Sequence, residues 1–452
     1  MSDQPSKRRS RSVPKSRLSR LGSFGRLAGS VAGGVLAEGT RRIASGERPR
    51  MRDLVMTPRN FSKLADRLSH LRGAAMKLGQ MISMDAGDML PRELAEIMAR
   101  LRDQAHHMPP GQLNRVLEKE WGREWRGQFA HFNATPLAAA SIGQVHRATT
   151  RDGRDLAIKV QYPGVRESID ADVDNVATLL RVSGLLPKEL EIGPLLEEAK
   201  AQLRAEADYL HEGAQMRDYA ALLDGDPDYL LPRLQTDLTT DRVLAMTFVE
   251  GRPIEHAASE SQDRRDALMH ALIRLVLREL FEFRVMQTDP NFANYRYQPD
   301  SGKLVLLDFG ATRSVAAETA NGYRDLLAAG LSEDRDAVRV AAMAAGFISE
   351  TAVIRHRALV DEMIAIVVAE MNRRDAFDFG DRAFVSVLRD QGMAVAEDRA
   401  SWHIPPVDTL FVQRKVSGTA LIAARLKARV DVRAMVEGYL GKSVRADWPG
   451  RS

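Results

Sequence analysis

Lys159, Asp289, Asn294 and Asp308 are polar residues whose types and order along the chain could act on a phosphorylated ligand. Lys159 closes the run Leu-Ala-Ile-Lys, Asp289 and Asn294 are separated by four residues, and Asp308 begins an Asp-Phe-Gly triplet. Phosphoryl transfer needs positive charge on the phosphates, oxygen ligands for Mg²⁺ and a group that orients the acceptor. The four residues stand in the order that supplies those parts in kinases.

Each of these patterns is weak alone. An Ala-Ile-Lys triplet is typical of an ordinary strand, Asp-Phe-Gly is commonly a turn, and an Asp and an Asn at this spacing occur by chance in many proteins. Their order and their flanking segments together are much more specific. Lys159 lies in the strand-like run 155–161, and Asp308 follows the apolar run 304–307.

The wider pattern of the chain indicates how these residues are positioned. Helical spacing of apolar residues covers 60–102 and 110–120, short strand-like runs cover 132–160, helices return over 170–219, and a strand-like run covers 242–249. From residue 263 onward the pattern is mainly helical, apart from a predicted hairpin within 287–310. This order predicts an α+β, bilobal, protein-kinase-like fold. We divide the chain into a basic arm (1–20), a helical N-terminal extension (21–125), a first lobe (126–250) and a helical second lobe (251–452).

Two features depart from ordinary protein kinases. The loop before Lys159 reads Ala-Ala-Ala-Ser (138–141) where a glycine-rich loop would be expected, and alanine resists backbone angles that glycine adopts freely. Such a loop should hold phosphates less adaptably, and could favour a different nucleotide or a slow reaction. After Gly310 the chain soon becomes helical, so the long segment that usually presents a peptide substrate is missing.

Longer strings resemble one family. AAASIGQVH, LAIKVQYPG, MQTDPNFAN and LLDFGATR, with the Lys77–Gln80 string KLGQ and the Glu206–Asp208 string EAD, are similar to the UbiB/ADCK (aarF-domain, ABC1-type) atypical kinase-like proteins. The resemblance runs from about Leu18 to Tyr439 and is nearest to the branch that supports ubiquinone (coenzyme Q) biosynthesis. It implies that ATP and Mg²⁺ are the cofactors.

The resemblance also assigns roles. Asp289, Lys159, Lys77 and Gln80 are the implied catalytic residues, and Asn294 and Asp308 the implied metal ligands. The extension that carries Lys77 and Gln80 is expected to pack over the active site. The implied partner of Lys159 is Glu212, although Glu197, Glu198 and Glu206 are alternatives on the same helical stretch. The residues assigned to the nucleotide site are Ala138, Ala139, Ala140, Ser141, Gly143, Lys159, Glu206, Asp208, Glu212, Phe248 and Val249.

The composition of the chain limits the kinds of partner and metal site that we expect. There is no cysteine, which excludes disulfides and thiolate metal sites. Residues 1–50 hold twelve Lys/Arg and three acidic residues, a charge of +9 that leaves −5 for the rest of a chain whose net charge is +4. The excess of basic residues over 1–50 indicates an anionic partner, a solubilising tail or a transit peptide. Phe24 is its one aromatic residue, so we expect no nucleic acid. His106 and His107 are expected at the surface or at a helix end.

No run approaches the roughly 20 apolar residues of a spanning helix. We therefore expect a cytoplasmic protein on the membrane periphery, or a mitochondrial matrix-side one in a eukaryote. The favoured hypothesis is an ATPase or small-molecule kinase that acts there in ubiquinone biosynthesis. Expected partners are anionic lipids, quinone-biosynthesis proteins or lipophilic quinone precursors, and a second copy through the glycine-spaced segment 25–33. A true protein kinase and a nucleotide-gated lipid-binding scaffold are the alternatives.

Overall fold

The computed structural model describes residues 107–182, 193–396 and 405–440, with Asp398 and Ser401. Nearer the N-terminus it describes Leu68, Leu71, Gly73, Ala74, Ala75, Lys77 and Leu78. Gln80, the basic arm and most of the predicted extension lie outside the described residues. The chain forms two compact units. The first unit contains the described residues up to Ala214 together with Arg233–Phe248, and the second contains Gln215–Pro232 and the described residues from Val249 onward. The predicted domain limits remain predictions.

The first unit is built on one antiparallel sheet with helices before and after its central strands. Its strands are β1 (Phe129–Phe132), β2 (Ala138–Ala139), β3 (Gly143–Thr150), β4 (Asp155–Gln161) and β6 (Val243–Thr247). Its helices are α1 (Pro110–Trp121), α2 (Ile169–Val182), α3 (Gly193–Glu206) and the start of α4 (Tyr209–Leu222), with short 3₁₀ turns at Trp125–Gln128 and Arg166–Ser168. The strand order is β1-β3-β4-β6, and β2 pairs with β3.

Alternation along β4 fixes which side chains face the core. Leu156, Ile158 and Val160 are fully buried, and in a strand every second residue points to the same face. Lys159 therefore points to the other face of the sheet, opposite Val145 of β3 and Leu244 of β6. On the buried face the strands pack with α1 and a group of aromatic side chains, which are Trp121, Trp125, Phe129 and Phe132.

The second unit is mainly helical. Its helices are α5 (Gln262–Arg278), α6 (Ala317–Leu331), α7 (Arg335–Ala344), α8 (Glu350–Arg355), α9 (Arg357–Met371), α10 (Ala383–Ala396), α11 (Val407–Leu426) and α12 (Val432–Leu440). Its strands are β5 (Tyr229–Leu230), β7 (Arg252–Pro253), β8 (Val285–Gln287), β9 (Tyr295–Tyr297), β10 (Leu304–Leu306), β11 (Thr312–Ser314), β12 (Phe377–Asp378) and β13 (Arg429–Val430). Shorter helical segments are Ile254–Ser259, Glu279–Phe283 and Phe292–Asn294.

Local signals explain where several of these helices begin. Ser261, Asp334 and Ser349 each accept a backbone N–H of the following turn, which satisfies donors that an uncapped helix leaves unpaired. The strands form small sheets in the orders β5-β10-β9-β7, β11-β8 and β12-β13. The predicted hairpin within 287–310 is the antiparallel pair β9–β10. Helix α6 begins at Ala317, so the chain after Gly310 is indeed short before it becomes helical.

These units agree with the predicted fold class. The first unit has an antiparallel sheet and the helices α3 and α4, which contain Glu206 and Glu212. The second unit is mainly helical. This is the α+β, bilobal, kinase-like arrangement. Among the described helices, none combines the length and apolar character needed to cross a bilayer.

Candidate active site

Lys159 of β4 and Glu212 of α4 form a short ion pair in the first unit. The Lys159 ammonium donates to both carboxylate oxygens of Glu212 at 2.8 Å. The Glu212 side chain is 1% exposed and that of Lys159 13% exposed. Because a buried carboxylate is costly without a partner, the pair holds the lysine at one position on the face of the sheet that α4 contacts. Among the glutamates considered from the sequence, Glu212 is the one in this contact.

Glu206, at the end of α3, pairs with a different lysine. Lys77 donates to Glu206 Oε1 at 2.7 Å, and the Ser141 hydroxyl donates to Oε2 at 2.6 Å. Burial works against the charged carboxylate, but the charge of Lys77, these two hydrogen bonds and the charge of Lys159 outweigh it and hold the pKa of Glu206 below its usual range. Glu206 therefore joins Lys77 to the alanine loop.

Asp208 has a helix-capping position. Its carboxylate accepts the backbone N–H of His211 at 3.0 Å, in the first turn of α4. This contact anchors the start of the helix that carries Glu212. The nucleotide-site role assigned to Asp208 from the resemblance stays a prediction.

The alanine loop (138–141) consists of the short strand β2 followed by a tight turn into β3. Ala138 and Ala139 form β2 and pair with Val145 and Gln144 of β3. The Ala140 N–H then donates to the Gly143 carbonyl at 2.9 Å. None of residues 138–143 has a positive φ, so alanine is compatible with this backbone.

Gly143 is required because other segments of the chain approach its backbone closely. A Cβ there would lie 2.5 Å from the Val160 carbonyl oxygen and 2.9 Å from the Tyr209 hydroxyl. Gly73 is similar, since its Cβ would lie 2.9 Å from the Ser141 carbonyl oxygen. The loop is thus packed tightly from both sides.

Phe248 and Val249 stand at the boundary of the units. The Phe248 N–H donates to the Asp155 carbonyl at 2.8 Å, and the Arg147 guanidinium lies 4.1 Å from the centre of the Phe248 ring. Val249 is the first residue of the next segment of the second unit. Their nucleotide-site roles remain predictions.

In the second unit, Asp289 lies in a loop that is held in place by hydrogen bonds from Thr288 and Asn294. Thr288 donates through its N–H and its hydroxyl to the Ala311 carbonyl, at 3.0 and 2.8 Å. The side-chain amide of Asn294 donates to the Asp289 carbonyl at 3.0 Å. These bonds give the loop a defined shape around Asp289.

The β9–β10 hairpin brings Asn294 and Asp308 to the same end. Asn294 immediately precedes β9, and Leu306, the last residue of β10, pairs with Tyr295. The Leu307 N–H donates to the Asn294 carbonyl at 3.1 Å. Asp308, which follows, accepts the Gly310 N–H at 3.0 Å and so forms the turn of the Asp-Phe-Gly triplet.

The donor set of this end suits Mg²⁺. The nitrogen of the Asn294 amide donates to the Asp289 carbonyl, so the amide oxygen is the atom that could ligate a metal ion, and Asp308 lies at the same end of the hairpin. In nucleotide sites Mg²⁺ uses one or two carboxylates plus phosphate oxygens. The described residues contain no group of three or more acidic or histidine side chains that could hold a metal, and this type of site does not need one.

Two neighbouring residues of α11 that were not predicted from the sequence act on this loop. Arg414 of α11 lies with a guanidinium nitrogen 3.6 Å from Asp289 Oδ1, and the adjacent Lys415 is buried. An Arg-Lys pair in a helix usually marks a solvated face. The sequence around Arg414 and Lys415 therefore gave no signal of these contacts.

Buried histidines were also misjudged. His107 was expected at the surface or at a helix end, but it is 7% exposed, because the chain there enters the core beside Met108. His146, on β3, is fully buried and was not singled out. Its Nε2 accepts from the Gln144 amide and its Nδ1 donates to the Asn133 carbonyl, each at 2.8 Å.

The geometry defines a class of protein. The first unit holds a sheet lysine fixed by a helix glutamate, and the second holds a loop aspartate with an Asn/Asp pair at a hairpin end. These are the parts of a kinase-like phosphoryl-transfer protein. Comparison with known sequences then gives the family.

The family model "ABC1 atypical kinase-like domain" matches residues 100–342. "Atypical kinase COQ8, mitochondrial" of Saccharomyces cerevisiae is 36% identical over 427 residues, 93% of this chain and 84% of the yeast protein. "Atypical kinase COQ8B, mitochondrial" of Rattus norvegicus is 37% identical over 434 residues, 95% of this chain and 81% of the rat protein. The chain belongs to the ABC1 atypical kinase-like family, as the UbiB/ADCK resemblance predicted.

A solved structure is also similar. A Mycobacterium tuberculosis protein, determined in complex with erythromycin, matches with a TM-score of 0.62 and 25% identity. The match covers 84% of this chain and 95% of that one. It agrees with the fold described above.

Proposed function

We propose that this protein is an Mg-ATP-dependent atypical kinase or ATPase that acts at a membrane surface in support of ubiquinone biosynthesis. It hydrolyses ATP or phosphorylates a small lipophilic molecule. The observation that carries the proposal is the Lys159–Glu212 ion pair, because a strand lysine held in place by a helix glutamate is suited to binding nucleotide phosphates.

The remaining residues have distinct tasks in this proposal. ATP supplies the transferable γ-phosphoryl group, and Mg²⁺ neutralises its charge. Asn294 and Asp308 would hold the metal ion through an amide oxygen and a carboxylate. Asp289 would orient the attacking hydroxyl or water and accept its proton.

The choice of a small acceptor follows from the short connection after Gly310. The next helix begins at Ala317, which leaves little chain to present a peptide substrate. The COQ8 relatives support a place in ubiquinone biosynthesis. The basic N-terminal fifty residues support an anionic membrane as partner, since each basic residue near such a surface contributes about 1 kcal/mol of binding.

The first experiment is phosphate release from Mg-ATP by the purified full chain, with and without liposomes that contain cardiolipin. Asp289→Asn is the matched variant, because it keeps the size of the side chain and removes its charge. We expect turnover that rises with liposomes and is abolished by Asp289→Asn. Turnover that is the same in both proteins would remove Asp289 from the reaction.

A second measurement separates the enzyme from a nucleotide-gated scaffold. ATP binding is titrated with and without Mg²⁺ in the parent and in Asp308→Asn. The proposal expects Mg²⁺-dependent binding that Asp308→Asn loses, since an amide replaces a charged ligand. Tight Mg-ATP binding by the parent without any phosphate release, with or without liposomes, would favour the scaffold.

A further inference from the structure

Helix α11 is in direct contact with the loop that carries Asp289. A Cβ added at Gly418 would lie 2.2 Å from Cγ of Pro290, so a side chain at 418 could not coexist with this loop position. Two turns earlier, Phe411 of the same helix receives the Arg313 guanidinium 3.9 Å from its ring centre. Arg313 is in β11, which follows the Asp-Phe-Gly triplet. The helix therefore contacts both chain segments of the proposed metal and acceptor site.

Arg414 extends this contact to the side chain of Asp289. One guanidinium nitrogen lies 3.6 Å from Asp289 Oδ1, and the two side chains are 13% and 21% exposed. Fully exposed ion pairs contribute little because water and salt screen them. This pair is largely shielded, so the attraction between the two charges constrains the carboxylate more strongly.

Lys415, the next residue, is buried and forms an ion pair with Glu279. It is 1% exposed and lies 3.1 Å from Glu279 Oε2, whose side chain is 0% exposed. Glu279 Oε1 accepts the Tyr219 hydroxyl at 2.6 Å and the Gln287 N–H at 2.9 Å. The Lys415 ammonium also donates to the Tyr295 hydroxyl at 3.1 Å.

Gln287 links this buried pair to Asp289. Its side-chain oxygen accepts from Lys415 at 3.4 Å, and its amide nitrogen donates to the Asp289 carbonyl at 3.1 Å. The main chain of Asp289 is thus fixed from one side by the Lys415 network. Its carboxylate faces the charge of Arg414. Two consecutive cations of one helix therefore act on two parts of the same residue.

We propose that Arg414 is a positioning residue for the reaction, which orients the Asp289 carboxylate while Lys415, through Glu279 and Gln287, fixes the backbone below it. This inference rests on the proposed function, because it assigns Arg414 a role through the catalytic aspartate. It also makes α11, far along the chain, part of the active centre.

The test compares Arg414→Gln with Arg414→Lys and with Arg425→Gln. Arg425 lies on the same helix with an exposed side chain, so Arg425→Gln makes the same change of charge away from Asp289. We expect Arg414→Gln to lower kcat by about 10- to 100-fold with KM for ATP changed less than about twofold, since a small misplacement of a catalytic group has an effect of that size. Arg414→Lys should recover a substantial part of kcat, and Arg425→Gln should match the parent.

Hydrogen exchange of peptides that cover 287–295 gives a readout without turnover. Arg414→Gln should raise exchange in this loop severalfold, while Arg425→Gln leaves it unchanged. If the parent releases no phosphate but the loop exchange responds in this way, the proposed function fails and the positioning contact stands. Unchanged kcat, equal loss in Arg414→Lys and Arg414→Gln, or unchanged loop exchange would each overturn the inference. Should Arg414→Gln fold poorly, Arg414→Lys is judged by the same two readouts.

Discussion

His146 shows how strongly a single buried side chain is constrained in the first unit. Both ring nitrogens are hydrogen-bonded, and the Gln144 oxygen accepts the Met108 N–H at 2.8 Å. Burial lowers the pKa of His146 from an ordinary 6.5 to about 4, against the opposing effect of the Asn133 carbonyl. The neutral ring with its proton on Nδ1 satisfies every one of these bonds.

A pH dependence of stability follows from this shift. Between about pH 6.5 and pH 4 the unfolded chain binds a proton at His146 that the folded chain does not, so the free energy of unfolding falls as pH decreases through this window. The shift corresponds to about 3 kcal/mol. Urea denaturation at pH 7.5 and pH 5 should show a smaller loss in His146→Gln than in the parent.

His131→Gln is the control for that prediction, since His131 is exposed on β1. It should retain the acid loss of the parent. An equal loss in the parent and in His146→Gln would show that other groups cause the dependence.

Site residues that lie within a recognisable sequence motif could be predicted from the sequence. Residues whose role depends on a partner far away in the sequence could not. Lys159, Asp289 and Asp308 stand beside strand or turn patterns that are legible in the sequence. The contact between Lys415 and Glu279 joins residues 136 positions apart. Nothing near either residue indicates burial, because charged side chains in helical stretches are solvated by default. Choosing Glu212 over its neighbours likewise needed the packing of α4 on the sheet.

The sequence of the β2–β3 turn is constrained mainly by how closely neighbouring backbone segments approach it. The sequence predicted a stiffer loop because alanine replaces glycine, yet the observed backbone of 138–143 contains no positive φ. The position that needs glycine is Gly143, for lack of space beside the Val160 carbonyl. Steric proximity between strands is not visible in the sequence, which is why the reason for this glycine could not be predicted.

Gly143→Ala should therefore destabilise the turn. The added methyl would lie against the Val160 carbonyl and the Tyr209 hydroxyl, and overpacking of this kind costs about 1–3 kcal/mol. We expect a lower urea midpoint and weaker Mg-ATP binding. Gly111→Ala is the matched control, because a Cβ there meets nothing within 4 Å. That change should be neutral or stabilising, and an equal loss in both variants would contradict the steric explanation.

Across the entire chain, charge is distributed unevenly, with +9 on residues 1–50 and −5 on the rest. If this arm binds an anionic surface, replacing Lys7, Arg8, Arg9 and Arg11 by Gln should weaken binding to cardiolipin-containing vesicles at least tenfold, given about 1 kcal/mol per basic residue. Co-sedimentation at two salt concentrations measures this. Both proteins should bind poorly to zwitterionic vesicles.

The charge-matched control replaces four exposed basic residues of the described body, which are Arg115, Lys119, Arg123 and Arg181. Binding of this variant should stay close to that of the parent. If the two variants lose binding equally, net charge and not the arm determines membrane association.

The path of the chain between the units has a consequence for its synthesis. Helix α4 begins in the first unit and ends in the second, and the chain then returns for β6 before it enters the second unit again. Strand β5 pairs with β10 through Tyr229 and Leu304. At about 5–20 residues per second, roughly 4–15 s of translation separate the two. A nascent chain therefore cannot pair β5 with β10 until that time has passed, so the sheet that contains β5 is completed late in synthesis.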